Sequence, residues 1–264
     1  MSERDPTRLT TRVGHAEHGD NRFRGRSVRD ELTGALPYWS LLSVAVGHRP
    51  LGADECELLD ALSVAACAAD PRIWPLKAVR LGSAGGSATL GMCAGLLVTD
   101  GVHGPRSTTD AARLFATIRA RLGSDESDDA LAAALEPELA ARILPLPGCG
   151  VAARPLDERV TAFDDWRTRD GRSLGPTWVL MRRVEALLVA KRRTPVNITG
   201  AAAAILLDLG FAPAQVHLPA LFVAIPNFVA NAAEGAEQAP AALRELPTSV
   251  VRYVGLPPRR SPRR

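Results

Sequence analysis

An all-α protein is what this sequence predicts, and three observations carry the prediction. Several long segments place apolar residues at helical spacing, with acidic residues at their starts and basic residues or glycine at their ends. Strand signals are scarce. The alternating strand and helix register of a doubly wound nucleotide-binding fold is missing, as is any internal repeat.

Taken in order, the segment 54–69 puts Leu58, Leu59, Leu62, Ala65, Ala66 and Ala69 along one face, with acidic residues in its first turn where the helix dipole favours them. The charge-free stretch Leu81 to Thr99 is nearly as long as a membrane span. It is built, however, from small residues (Gly82, Ala84, Gly85, Gly86, Ala88, Gly91, Ala94, Gly95) that give little transfer energy and let backbones approach closely. A tightly packed helix, buried or at a subunit interface, is expected there rather than a membrane helix. The segment 109–122 follows with Ala111, Leu114, Phe115, Ile118 and Leu122 apolar and its arginines available to solvent. Next comes 128–143, in which Pro137 is expected to break or restart the helix. The segment 175–191 ends in the basic run Lys191, Arg192, Arg193 that suits a helix C-terminus. After Pro195, Thr199 or Gly200 opens a helix over 201–209, stopped by Gly210, and Thr199 is the expected N-cap. A last helix over 215–233 contains Pro219 and Pro226, which should end or kink it. Loops are expected at Ser124 to Asp129, Pro145 to Gly150 and Pro155.

The 264 residues are 46% hydrophobic and 23% charged, enough to bury a full core in one large or two unequal domains. Net charge is only +3, and much of the basic excess sits in the tails, as at Arg259, Arg260, Arg263 and Arg264; with aromatics at 5%, this argues against a nucleic-acid surface. Met1 to Arg12 has no apolar secretory core, so a cytoplasmic protein is expected. Cys56, Cys67, Cys93 and Cys149 are scattered without metal-ligand spacing, which suits reduced thiols and argues against a metal site.

Four segments in order resemble the citrate synthase superfamily, most closely its short members of the citryl-CoA lyase type. Phe23-Arg24-Gly25-Arg26-Ser27-Val28, then Leu32 to Gly47 and Gly47-His48-Arg49-Pro50, is similar to the family's "R-G-Y" turn and "G-x-x-P". Gly101-Val102-His103-Gly104 resembles its "H-G-G". Pro147-Gly148-Cys149-Gly150-Val151 to Asp157-Glu158-Arg159 resembles "G-x-G-H…D-P-R". Pro195-Val196-Asn197-Ile198-Thr199-Gly200, followed by Ile205 to Phe211, resembles the "N-V-D" segment and its helix. The resemblance spans about residues 22 to 255.

It implies an all-α, citrate synthase-like fold: a large helical domain over 22–149 and 225–256, a small one over 150–224, and tails at 1–21 and 257–264. It also implies a homodimer in which the 81–99 helix lies at the interface, and a coenzyme A thioester as substrate with no bound cofactor. Enolate chemistry beside a thioester needs a base near the α-carbon, a donor at the thioester oxygen and an acid on the partner's carbonyl. His103 matches the histidine that steadies the enol. The carbonyl-acid histidine is replaced by Val151 and the base carboxylate by Thr199, whose hydroxyl is no base without an activating partner. Arg159 and Arg154 match basic, carboxylate-holding positions; the other clamp arginines fall on Ala224 and Leu246. Asn197, Thr199 and Asn231, the last standing where histidine is common, are candidate substrate contacts. His217 is a second candidate catalytic histidine, and Asp70, Arg72 and Lys77 are candidates for new polar contacts. Three functions follow: a divergent enzyme acting beside a thioester on something other than oxaloacetate; a non-catalytic paralogue serving as a binding or structural subunit; or a cleft repurposed for a cyclisation or rearrangement.

Overall fold

The structure is a computed structural model; it describes residues 10–99, 104–141, 145–151, 155–191, 194–238, 245, 247–250 and 252–256. Of the sequence candidates, His103, Arg154 and Leu246 lie outside these residues, as do the C-terminal arginines.

The chain opens with strands that the sequence pattern did not reveal. β1 (Gly14–Glu17), β2 (Asp20–Phe23) and β3 (Arg26–Ser27) form an antiparallel meander in that order. Two-residue turns join them, His18-Gly19 and Arg24-Gly25, and the positive φ of Gly19 (88°), Arg24 (52°) and Gly25 (83°) gives the turns a twist that fits a tight hairpin. The strands are mostly exposed, so no face demanded alternating apolar residues.

Ten α-helices are described after it: α1 (Tyr38–Ala45), α2 (Ala53–Ala65), α3 (Leu76–Ser83), α4 (Ala88–Thr99), α5 (Pro105–Leu122), α6 (Asp128–Ala140), α7 (Glu158–Arg169), α8 (Pro176–Ala190), α9 (Ile198–Asp208) and α10 (His217–Glu237). The stretch 81–99 is not one helix. It turns at 84–87, where Gly86 has φ 87°, so α3 and α4 fold back on each other. The small residues do allow close approach, but within this hairpin: a Cβ on Gly91 would lie 2.7 Å from Ser83 Cβ, and one on Gly95 would collide with Val79.

Neither proline of the last helix ends it. Pro219 falls in the first turn of α10, where no amide partner is needed, and Pro226 is accommodated inside the helix; Pro137 likewise sits within α6. By length and composition α10 and the 3₁₀ turn before it resemble a membrane span, but α10 packs against α2, α3, α4 and α5 as a core helix does.

The core gathers around α9, whose Ile198, Ala201 to Ala204, Ile205 and Leu206 are buried against Phe115 and Ile118 of α5 and Met181, Val184 and Leu188 of α8. At the C-terminal end of α9, Asp208 accepts hydrogen bonds from the amides of Thr177 (2.8 Å) and Trp178 (2.9 Å), capping α8. Following α9, Phe211 stacks on His48 at 4.2 Å between centroids, tying α9 to the turn after α1. These contacts hold the N-terminus of α9 in a fixed place, and that end faces the cleft.

Candidate functional site

The start of α9 is set by Asn197, not by Thr199. The Asn197 side-chain oxygen accepts from the amides of Thr199 (3.0 Å) and Gly200 (3.2 Å), which is the N-cap interaction, and also from the Thr199 hydroxyl (2.6 Å). Its amide nitrogen donates to the Gly150 carbonyl (2.9 Å). Asn197 thus spends its polar side chain on positioning the loop 148–150 against α9.

That loop lies close enough to touch backbone to backbone. The Asn197 amide donates to Gly148 O (2.9 Å) and the Gly150 amide to Pro195 O (2.7 Å). Gly148 has φ 76°, and a Cβ there would sit 2.7 Å from the Gly200 Cα; a Cβ on Gly200 would strike the Gly148 carbonyl. Only glycine fits on either side. The loop and the helix start therefore hold Gly150, Val151, Asn197 and Thr199 together.

These residues line a cleft of about 750 Å³, within the range of small-molecule sites. The cleft also takes in Gly104, Ser107 and Thr108 at the start of α5, Glu158 and Arg159 at the start of α7, the segment 66–76, and Ala220, Val223, Ala224, Asn227 and Phe228 of α10. It thus brings together Val151, Arg159, Asn197, Thr199, Ala224 and Asp70, which lie far apart in sequence. Gly104, immediately after His103, lines it too.

Arg159 is already engaged. Its Nε and Nη2 donate to the two oxygens of Asp157 at 2.8 and 2.7 Å, a side-on pair. Asp157 is 1% exposed against 33% for Arg159, so the arginine shields the carboxylate and keeps one edge toward the cleft. Burial alone would push the Asp157 carboxyl up; the hydrogen bonds and charge of Arg159, with the amides of Ile198 and Arg159, outweigh it and hold the carboxyl below its ordinary value. Two of the five guanidinium hydrogens are used in this pair, and the Nη1 hydrogens make no bond among the described residues.

Asp70 forms an exposed, self-contained pair with Arg72, whose hydrogen bonds hold its carboxyl at about 2. Lys77 and Arg72 do not line the cleft. Ser107 and Thr199 bring their hydroxyls within 3.3 Å of each other; because the Thr199 hydrogen points to Asn197, Thr199 is the acceptor there.

Two sequence candidates fall outside the cleft. Asn231 is 2% exposed; it accepts from Arg80 Nε (2.8 Å) and donates to Ala69 O (2.9 Å), a structural role. His217 begins α10, away from the lining. Sequence reasoning missed Ser107 and Asn227. Asn227 accepts from the Ala68 amide (2.9 Å) and donates to Ala66 O (3.3 Å), so it and Asn231 pin the segment 66–69 to α10. Two asparagines one helical turn apart, at 227 and 231, were the available signal.

The fold is all-α and citrate synthase-like, and the cleft has the volume of a small-molecule site. Among solved structures, the chain is similar to citryl-CoA lyase from Hydrogenobacter thermophilus, with a TM-score of 0.77 and 22% identity over 96% of this chain and 97% of that one. It also resembles ATP citrate lyase from Methanosaeta concilii in complex with (3S)-citryl-CoA (TM-score 0.69, 17% identity, 96% of this chain, 43% of that one). Citrate synthase from Thermoplasma acidophilum matches with a TM-score of 0.55 and 15% identity over 85% of this chain and 58% of that one. No family model matches the sequence, and no curated protein does so significantly.

Proposed function

We propose that this protein is a divergent enzyme of citrate synthase type that makes or breaks a carbon–carbon bond beside a coenzyme A thioester, on a partner less anionic than oxaloacetate. One observation carries the reading: the positions matched to the base, the acid and the clamp converge in one cleft as Thr199, Val151, Arg159 and Ala224, and only Arg159 among them is charged. Asp157 already offsets that charge, so a dicarboxylate anion would gain little there. In this reading His103, beside the cleft-lining Gly104, stabilises the thioester enolate. The free edge of Arg159 holds one polar group, and Asn197 keeps the loop carrying Val151 against α9. The protein works as a cytoplasmic homodimer whose small domain spans 150–224 and whose large domain spans 22–149 and 225–256.

The test is α-proton exchange from acyl-CoA thioesters into deuterated water. Exchange with at least one thioester is expected, falling at least about 100-fold in His103→Ala. No exchange with any thioester overturns the enzymatic reading. The second reading, a non-catalytic binding subunit, is favoured by the engagement of Asp70, a cleft carboxylate whose two oxygens both accept from Arg72. It predicts that thioesters raise the melting temperature without proton exchange.

A further inference from the structure

The two walls of the cleft differ in chemistry. The segment 66–76 and α10 contribute Ala66, Ala69, Ile73, Trp74, Leu76, Val223 and their neighbours, and almost nothing polar that is free. Of the polar groups on this wall, the Asn227 amide is committed to the backbone of 66 and 68, the Asp70 carboxylate to Arg72, and the Cys67 thiol donates to Ser63 O. Yet Ile73 and Trp74 stand 44% and 43% exposed. The opposite wall keeps polar capacity in one small area: the acceptor side of the Ser107 hydroxyl, whose hydrogen goes to Thr199, and the outer edge of Arg159.

A ligand filling such a cleft needs a hydrocarbon portion on one side and a single small polar group on the other. Apolar area left in contact with water is area whose burial favours binding. A terminal carboxylate pressed against Ile73, Trp74 and Ala224 would lose hydration and find only the neutral indole N–H of Trp74 as a side-chain donor not already engaged among the described residues of that wall. We propose that the substrate is a thioester whose acyl group is an unbranched hydrocarbon chain of several carbons, seated against Ile73, Trp74, Ala224 and Phe228, and not a dicarboxylate. This rests on the thioester reading above and narrows it to a substrate class.

The test is titration calorimetry of the full chain with non-hydrolysable acyl-CoA analogues in which methylene replaces the thioester sulfur, carrying acetyl, butanoyl, hexanoyl or succinyl groups. Binding is expected to tighten about fourfold per added methylene from acetyl to hexanoyl. The butanoyl analogue should bind at least about tenfold more tightly than the succinyl analogue of equal chain length. Ala224→Phe, which fills the apolar side, should reverse the order so that the acetyl analogue binds best; Trp74→Ala should flatten the dependence on chain length. Analogues that bind equally whatever their length, or a succinyl analogue that binds best, overturn the proposal and leave the thioester reading standing. If no analogue binds, both fall.

Discussion

At the scale of single residues, Asp157 decides how Arg159 is used. Its carboxyl is held below the unfolded value of about 3.9, so the stabilisation from this pair is present above about pH 4 and is lost as pH falls through the folded value. Asp157→Asn should lower stability by about 2 kcal/mol at neutral pH, the arginine's exposure moderating the loss, and should flatten the acid limb of a urea-denaturation series. The thiols offer another check. Burial, then the nearby Glu185 charge, pushes Cys149 up to about 12, whereas Cys67 and Cys93 are exposed. In the native protein Cys149 should resist a thiol-specific disulfide reagent until urea is added, and a ligand in the cleft should slow modification of Cys67, read by mass spectrometry. Sequence alone could place Asn197 and Thr199 near a helix start, since both types cap helices. Which one capped depended on the backbone path: Asn197 also reaches Gly150, 47 residues away, and no local pattern encodes that contact.

At the scale of elements, the glycine contact between α9 and the loop at 148–150 is the tightest joint of the site. Gly200→Ala should cost about 1–3 kcal/mol, measured by urea unfolding, because its Cβ displaces the carbonyl that accepts the Asn197 amide. Helices α5, α6, α8 and α9 were legible within a few residues because each buries an apolar stripe and closes with a recognisable signal. Prolines misled where position outweighed type: at the first turn of α10 a missing amide costs nothing. The sequence of 81–99 suggests one rod because glycines serve equally as close-packing surface and as hinge; only the fold-back of α4 on α3 separates the uses. The meander was silent since four-residue exposed strands leave no periodic mark.

For the whole molecule, α3 and α4 turn outward an apolar surface that includes Leu81, Leu90 and Leu97, the last 83% exposed. We expect a dimer through this face by sedimentation at micromolar concentration, and a monomer in Leu97→Glu with Leu90→Glu. The cleft itself was only partly legible: resemblance named Val151, Arg159, Thr199 and Ala224, but their convergence, and the apolar wall opposite them, came from the packing of α10 across α5. The segment 66–69 of that wall is fastened to α10 by two side-chain amides instead of a backbone ladder. We expect this segment, which Asn227 and Asn231 pin to α10, to open locally while α10 and the core stay closed, much as a panel lifts when two rivets are drawn. Hydrogen exchange at the Ala68 amide would register that event: Asn227→Ala should speed it by orders of magnitude while the amides in the middle of α9 keep their protection.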